Sequence, residues 1–95
     1  MTDTNSNPVR DDAEHHRYEL TENGLIAFAT YRRRDGVVTI PHVEAPPALQ
    51  GTGAAGRLMT GIVAHARAEG FKIIPSCPYA GVWFERHPDA KDVLL

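Results

Sequence analysis

The sequence has little of what marks secreted, membrane-spanning or nucleic-acid-binding proteins. A single cysteine among 95 residues excludes an internal disulfide and favours a reducing, cytoplasmic setting. No apolar run approaches the roughly 18 residues that a membrane-spanning helix needs, and the polar N-terminus is not typical of a signal peptide. The formal net charge of −2 gives no support for binding to nucleic acids or membranes. We therefore expect a small cytoplasmic domain, because 42% hydrophobic residues in so short a chain allow one modest core.

The N-terminal stretch differs in composition from the rest of the chain. Residues 1–14 are polar, rich in acids and without periodicity, so we predict a disordered tail there and a single domain over residues 15–95. His15 and His16 lie at this boundary. Adjacent side chains on a strand point to opposite faces, and no nearby Cys or His completes a metal site. We therefore expect strand-edge histidines and no bound metal.

The pattern after the tail predicts an α+β domain with the order β-β-β-α-β-α. Two turn signals, Asn23-Gly24 and Asp35-Gly36, separate three strands of an antiparallel meander. Pro41 removes a hydrogen-bond donor from the third strand, which indicates an edge or a bulge near its end. A helix precedes the fourth strand, which should therefore lie parallel to the third through a right-handed crossover. The predicted elements are strands at 17–20, 25–31, 37–44 and 71–75 and helices at 53–69 and 78–87.

A glycine-rich loop that leads directly into an amphipathic helix organises the second half of the chain. Small residues at the helix start, from Gly53 to Gly56, leave the first backbone N–H groups uncovered. Together with the positive end of the helix dipole, these amides predict a binding site for phosphate or pyrophosphate. Gly70 stands where a residue in the left-handed conformation would end the helix.

Three anion-binding motifs resemble this loop, and neighbouring residues distinguish them. A Walker-type loop requires Gly-Lys-Ser/Thr, whereas Gly56 is followed by Arg57. The dinucleotide pattern G-x-G-x-x-G is matched, but no acid stands about 20 residues further on at the end of the next strand. A chain of 95 residues also cannot hold a doubly wound domain. The third motif, Gln/Arg-x-x-Gly-x-Gly/Ala, is matched by Gln50, Gly53 and Ala55.

This third motif resembles the pyrophosphate loop of the GNAT superfamily of acetyl-CoA-dependent N-acetyltransferases. Pro-Ser-Cys-Pro at residues 75–78, Arg-His-Pro at 86–88 and His-Val-Glu at 42–44 extend the resemblance, over residues 18–95, to a small single-domain branch with a Pro-x-Cys motif. The resemblance implies a compact GNAT fold with a mixed sheet, in which two parallel strands splay apart around the cofactor. It also implies acetyl-CoA as cosubstrate and CoA as product.

The resemblance further implies which residues hold acetyl-CoA. Backbone N–H groups of the glycine loop would bind the pyrophosphate, and free backbone groups on the bulged strand before the loop would pair with the pantetheine arm. Arg57 either adds charge near a phosphate or is a surface arginine. The implied cofactor-binding residues are Val43, Gln50, Gly51, Thr52, Gly53, Ala54, Ala55, Gly56 and Arg57.

Cys77 is the principal candidate for chemistry. Because it precedes a proline, its backbone should be extended, which makes it a natural N-cap of the second helix, where the helix dipole favours a thiolate. It also follows a parallel strand, at the edge where α/β sheets bind ligands. The resemblance places Cys77 near the thioester of acetyl-CoA. The alternative is a small, half-buried cysteine that serves packing.

Three further residues are candidates for proton transfer. His42 and Glu44 are two apart on a strand, so their side chains share one face, either towards the acceptor or in solvent. Many GNAT enzymes carry a tyrosine midway along the last helix as general acid, but Phe84 occupies that position here. Tyr79, in the first turn of the helix, is a conjectural substitute, and a packing role is its alternative.

Taken together, the sequence predicts an N-acetyltransferase that moves an acetyl group from acetyl-CoA to an amine on a small molecule or a protein. We favour direct attack by an amine that loses its proton to His42 or Glu44 through water, with Cys77 protonating the departing thiolate. Prior acetylation of Cys77 is the alternative. The rival function is a non-catalytic acyl-CoA-binding or interaction module, because the helix pair that shapes the acceptor pocket is missing. The predicted partners are acetyl-CoA and an unidentified amine, and we expect a monomer or a weak homodimer.

Overall fold

The computed structural model describes residues 7–95, which form a mixed five-stranded sheet covered on one face by a long helix. In chain order the elements are β1 (Arg10–Asp12), β2 (Arg17–Glu22), β3 (Leu25–Arg34), β4 (Val37–Glu44), α1 (Ala54–Glu69), β5 (Lys72–Ile74) and α2 (Pro78–Glu85). Short 3-10 segments lie at Ala13–His15, Pro47–Leu49 and Pro88–Val93. The strand order in the sheet follows the chain, with β1 to β4 antiparallel and β5 parallel to β4. The predicted α+β class is confirmed.

Both predicted hairpin turns are confirmed by their backbone geometry. Asn23 and Gly24 have φ angles of 53° and 73°, and Asp35 and Gly36 have 53° and 76°. Two consecutive positive φ angles characterise the turn whose twist matches that of the flanking strands, and Asn-Gly and Asp-Gly are the pairs that adopt it most readily. Each turn therefore fixes the register of its hairpin, β2 with β3 and β3 with β4.

The predicted tail over residues 1–14 is wrong in the part of it that the structure describes. Residues 10–12 form β1, which pairs with β2, and Val9 is buried with 1% of its surface exposed. β1 has no buried face, so its sequence shows no apolar alternation. Backbone pairing with β2 and an ion pair between Arg10 and Glu19, at 2.5 Å, stabilise it instead. Residues 1–6 of the predicted tail lie outside the described residues.

β4 contains the predicted irregularity, and β4 and β5 then separate. Thr30 lies opposite His42 and Arg32 opposite Thr39, so β4 carries one extra residue near Pro41, a β-bulge. On its other side, β4 pairs with β5 only over 37–39, while β3 continues to pair with β4 as far as 44. The two parallel strands therefore splay apart beyond the bulge, as expected.

The core lies between the sheet and α1. The helix presents a buried stripe of side chains to the sheet, at Leu58, Met59, Ile62, Val63 and Ala66. It ends at Gly70, which has φ 80° and donates its amide hydrogen to the Ala66 carbonyl at 2.8 Å, the predicted left-handed cap. In residues 7–95, no helix has the length and apolar character needed to cross a membrane.

Candidate active site

The glycine loop places uncovered backbone amides at the start of α1. Gly51 and Gly53 both have φ angles near 80–88°, a conformation that side chains disfavour, so these two glycines are required for the loop's path. The first backbone hydrogen bond of the helix runs from the Arg57 amide to the Gly53 carbonyl at 3.0 Å. Amides that precede it have no carbonyl within the helix to which they can donate, and they point beyond its end. The arrangement fits the predicted anion site.

Two side chains hold the loop in this shape. Thr52 donates its hydroxyl hydrogen to the Leu49 carbonyl at 2.5 Å, and the same oxygen accepts from the Ala54 amide at 3.3 Å. Gln50 donates to the Ala45 carbonyl at 3.0 Å, which ties the loop back to the end of β4. Both side chains therefore stabilise the loop itself, and of the first helix residues Ala55 and Gly56 are partly exposed whereas Ala54 is buried.

Arg57 forms a bidentate ion pair with an acid that the sequence did not connect with it. Its guanidinium donates to the two carboxylate oxygens of Glu22, at 2.7 and 2.8 Å, across the turn between β2 and β3. The guanidinium holds the pKa of Glu22 below its usual range. A Cβ atom at Gly53 would lie 2.9 Å from Arg57 Nη1, so the paired guanidinium also covers the outer side of the loop.

A cleft of about 400 Å³ runs along the first two turns of α1 and the facing side of α2. Gly56 forms its floor, because a Cβ atom there would lie 3.7 Å from Trp83 Nε1 and 3.8 Å from the Tyr79 hydroxyl. Other lining residues are Arg57 and Thr60 of α1 and Arg86 after α2. Sequence reasoning missed this cleft, although Tyr79, Val82 and Arg86 are spaced as residues on one helical face.

Cys77 is the N-cap of α2, as predicted, with φ −66° and ψ 132°. Its amide donates to the Ile40 carbonyl of β4 at 2.9 Å, so Cys77 stands where β4 and β5 separate. The thiol itself does not cap the helix, and the residue is 7% exposed. Its position at the mouth of the splay agrees with both alternatives raised from the sequence, chemistry and packing.

His42 and Glu44 share one face of β4, as predicted, and contact each other. His42 Nε2 lies 2.9 Å from Glu44 Oε1, and both side chains are about half exposed, at 54% and 56%. Because a carboxylate only accepts, Nε2 carries the hydrogen and Nδ1 is left as the basic nitrogen of the neutral ring. The His42 ring also lies 6.2 Å from the ring of Phe28 on β3. Val43, between the two, is partly buried against the core on the other face.

The residues of α2 differ in what they offer a reaction. Phe84 is 2% exposed and belongs to the core, so it takes no part in proton transfer. Tyr79 is 41% exposed in the first turn, and partial burial together with the nearby Cys77 raises the pKa of its hydroxyl. Trp83 is 7% exposed and stacks on His87 with ring centroids 4.0 Å apart. Within residues 7–95, no three His, Cys, Asp or Glu side chains come close enough to hold a metal ion.

Comparison with known proteins agrees with this architecture. A family model described as GCN5-related N-acetyl-transferase matches residues 17–93. A similar solved structure is the solution NMR structure of a GCN5-like protein from Staphylococcus aureus, with 30% sequence identity and a TM-score of 0.65. That alignment covers 95% of this chain and 90% of the other. Among curated proteins, none matches the sequence. Since the family match spans most of the chain, this protein belongs to the GCN5-related N-acetyltransferase family, whose general activity is acetyl transfer with acetyl-CoA as the usual donor.

Proposed function

We propose that this protein transfers an acetyl group from acetyl-CoA to an amine, on a small molecule or a protein, by direct attack. The observation that carries the proposal is the open edge of β4 beyond Ile40, which leads directly to the uncovered amides at the start of α1. Acetyl-CoA has an extended pantetheine arm followed by a pyrophosphate, and these two parts match the strand edge and the helix start in that order. The backbone edge can pair with the amides of pantetheine, and the helix start can bind the pyrophosphate.

The residues of the loop support this placement of the cosubstrate. Gly56 has no side chain of its own and Ala55 adds only a methyl group, while the Arg57 guanidinium lies over Gly53. We assign the pyrophosphate to the amides of Ala55 and Gly56, since the amide of the buried Ala54 donates to the Thr52 hydroxyl. When bound, acetyl-CoA supplies the activated acetyl thioester, and the chain's residues bind, orient and move protons.

The proton transfers are assigned from position. His42, oriented by its hydrogen bond to Glu44, accepts a proton at Nδ1 from the attacking amine, directly or through one water. As the new N–C bond forms and the C–S bond breaks, the Cys77 thiol gives its proton to the sulfur that leaves. Both residues then exchange protons with water. Tyr79 lines the cleft beside this site and is the alternative proton donor.

Cofactor binding is tested first, by calorimetric titration with acetyl-CoA of the wild type and two variants of α1. Ala55→Glu places a carboxylate at the helix start. There it interacts favourably with the helix dipole, so the helix stays intact, but it repels a pyrophosphate. Ala64→Glu adds the same charge at an exposed position further along α1 and serves as control. We expect saturable binding by the wild type and by Ala64→Glu, and a loss of at least about tenfold in Ala55→Glu, since one charged contact is worth about 1.5–3 kcal/mol. No binding by the wild type near millimolar ligand would overturn the proposal.

Catalysis is tested by following CoA release with a panel of primary amines and lysine-containing peptides. Cys77→Ala should bind acetyl-CoA like the wild type but turn over at least about 100-fold more slowly, the usual loss when a general acid is removed. Ser76→Ala alters the exposed neighbour and should leave turnover unchanged. Unchanged turnover in Cys77→Ala would assign Cys77 to packing.

The rival function is a non-catalytic acyl-CoA-binding module. Two observations favour it: β2 and β3 are joined by a two-residue turn with no helices between them, and the buried Phe84 fills the place of the usual acid. Tight acetyl-CoA binding without turnover on any amine of the panel would establish this rival.

A further inference from the structure

The sheet face opposite α1 is largely exposed in residues 7–95, and it carries the proposed base. Along β3, Ala27, Ala29 and Tyr31 are buried, whereas the residues between them are partly or fully exposed. Thr30 of this exposed series lies opposite His42, so His42 belongs to the same face, which we call the open face. An amine that loses its proton to His42 therefore approaches over the open face.

Three residues cross the open face beside the β-bulge, one on each of three adjacent strands. Arg32 of β3 lies opposite Thr39 of β4, and Thr39 pairs with Ile74 of β5. This row also lies at the mouth of the splay, because Ile40, the residue after Thr39, accepts the hydrogen bond from the Cys77 amide at 2.9 Å. An acceptor in the reaction that Cys77 assists therefore lies next to this row.

Arg32 is the cation of the row, and its guanidinium has no partner in the described part of the chain. Of the arginines that follow it, Arg33 pairs with Glu69 at 3.1 Å and Arg34 lies 3.7 Å from Asp35. The exposed side chain of Arg32 forms neither an ion pair nor a hydrogen bond with residues 7–95. A guanidinium in this state can bind a carboxylate through two parallel hydrogen bonds.

The neighbouring charged groups of the open face are paired with one another. Arg10 and Arg17 both bind the buried Glu19, at 2.5 and 2.6 Å. Glu44 is hydrogen-bonded to His42 at 2.9 Å. Because these groups neutralise one another, an acceptor that carries a negative charge is what balances the cation of the row.

Ile74 gives the row an apolar end. It is 36% exposed although it is a large hydrophobic residue, whereas its neighbour Ile73 is fully buried. Two strand spacings separate Arg32 from Ile74, about 10 Å between Cα atoms. The row therefore presents a cation at one end, a hydroxyl group in the middle and an apolar side chain at the other end.

We propose, building on the proposed function, that the acceptor is a free amino acid with an apolar side chain, bound on the open face by Arg32 and Ile74. Arg32 pairs with the carboxylate of the amino acid, and the apolar side chain packs against Ile74. The amino group then lies beside the bulge, where His42 accepts its proton. A lysine side chain of a protein has no carboxylate next to its amine, so this site selects a small molecule.

The test follows CoA release with leucine and with 3-methylbutylamine, which is the same amine without the carboxylate. We expect the wild type to use leucine with a kcat/KM at least about tenfold higher, the effect of one charge-assisted contact. Calorimetric titration of the CoA-saturated protein with each amine makes the same comparison without turnover.

Two arginine variants decide which residue binds the carboxylate. Arg32→Gln should raise the KM for leucine at least about tenfold, with kcat for leucine and kcat/KM for 3-methylbutylamine close to the wild type, because a binding contact alone is lost. Arg34→Gln is the matched control. It removes the same charge from a 92% exposed side chain two residues further along the chain, about 7 Å away, and should keep the preference for leucine.

A third variant tests the apolar end of the row. Ile74→Ala should lower kcat/KM for leucine by about tenfold, the usual effect of one or two lost methylene contacts, and leave kcat/KM for glycine unchanged. An equal loss for leucine and glycine would show that Ile74 does not contact the acceptor's side chain.

The outcomes separate this inference from the proposed function. Equal use of leucine and 3-methylbutylamine by the wild type would overturn the inference and leave the proposed function standing. So would a preference for leucine that survives in Arg32→Gln or disappears in Arg34→Gln, or turnover of lysine-containing peptides alone. Absence of turnover with every amine and peptide would overturn the proposed function as well.

Discussion

Two tyrosines on neighbouring strands lie in one aromatic cluster but differ in what their hydroxyl groups contact. The rings of Tyr18 and Tyr31 have centroids 4.8 Å apart. Tyr31 donates to Asp11 Oδ1 at 2.6 Å, whereas the buried hydroxyl of Tyr18 has no partner among residues 7–95. Burial raises the pKa of both phenols, that of Tyr31 to about 12, so both are neutral at pH 7. One hydroxyl thus contributes a hydrogen bond, and the other bears an uncompensated desolvation cost.

Removing each hydroxyl should therefore have opposite effects on the free energy of unfolding. We expect Tyr18→Phe to leave stability unchanged or to raise it by up to about 1 kcal/mol, because an unpaired polar group leaves the core. Tyr31→Phe should lower stability by about 1–2 kcal/mol, because Asp11 loses its donor. Urea unfolding of both variants at pH 7 measures the difference. A clear loss of stability in Tyr18→Phe would show that a buried water satisfies this hydroxyl.

At the scale of single residues, the sequence predicts positions that depend on neighbouring residues, but it does not predict ion pairs between residues far apart in the chain. The shared face of His42 and Glu44 follows from strand alternation, and the N-cap position of Cys77 follows from the proline after it. The pairing of Arg57 with Glu22 joins residues 35 positions apart, and nothing local in the sequence marks it. The same holds for the cleft, because its two walls come from different helices.

At the scale of elements, α1 is in contact with the N-terminal segment as well as with the sheet. Asn7 donates to the Gly61 carbonyl at 2.9 Å, and His65 Nε2 lies 2.6 Å from the Val9 carbonyl. A Cβ atom at Gly61 would lie 2.1 Å from Val9 Cγ2, so the segment crosses the helix where a side chain is absent. Gly61 is therefore required for this close approach, although glycine disfavours a helix interior.

Replacing this glycine should destabilise the protein even though alanine favours helices. We expect Gly61→Ala to lower the free energy of unfolding by about 1–3 kcal/mol, the usual cost of overpacking, since Val9 must move. Gly81→Ala in α2 is the matched control, because the nearest atom there is the Pro75 carbonyl oxygen at 3.8 Å. That variant should gain about 0.5–1 kcal/mol from helix propensity. Chemical unfolding compares the two, and a stabilised Gly61→Ala would contradict the tight crossing.

The strands and helices predicted from periodicity and turn chemistry are present, and the one strand of the described residues that was missed, β1, has neither signal. Strands β2 to β5 and both helices carry apolar patterns or Asn-Gly, Asp-Gly and proline boundaries, which act within a few residues. β1 is three polar residues long, and it depends on β2 for its backbone partners and on Glu19 for an ion pair. Its sequence resembles a tail because its stabilising contacts come from elsewhere in the chain.

On the scale of the whole molecule, ion pairs connect α1 to distant parts of the chain. Arg57 pairs with Glu22 near the start of the helix, Arg67 pairs with Asp92 near its end, and Glu69 pairs with Arg33 of β3. The arginine partners hold the pKa values of Glu22 and Asp92 below their usual ranges. A carboxyl group whose pKa is lower in the folded state stabilises the fold above its unfolded pKa. That contribution is lost as the pH falls through the folded pKa.

Glu22→Gln isolates one of these contributions. At pH 7 we expect the variant to be less stable than the wild type, because Arg57 loses a charged partner. This difference in the free energy of unfolding should persist down to about pH 4.5, the ordinary pKa of Glu. It should then decrease as the pH falls further, because the wild-type carboxyl group becomes neutral too. Urea unfolding at a series of pH values from 7 to 2.5 measures this convergence. Glu14→Gln removes the same charge where the described residues provide no ion pair, and its stability should run parallel to the wild type's. A Glu22→Gln difference that stayed constant down to pH 2.5 would mean that the side chain contributes through packing and not through its charge.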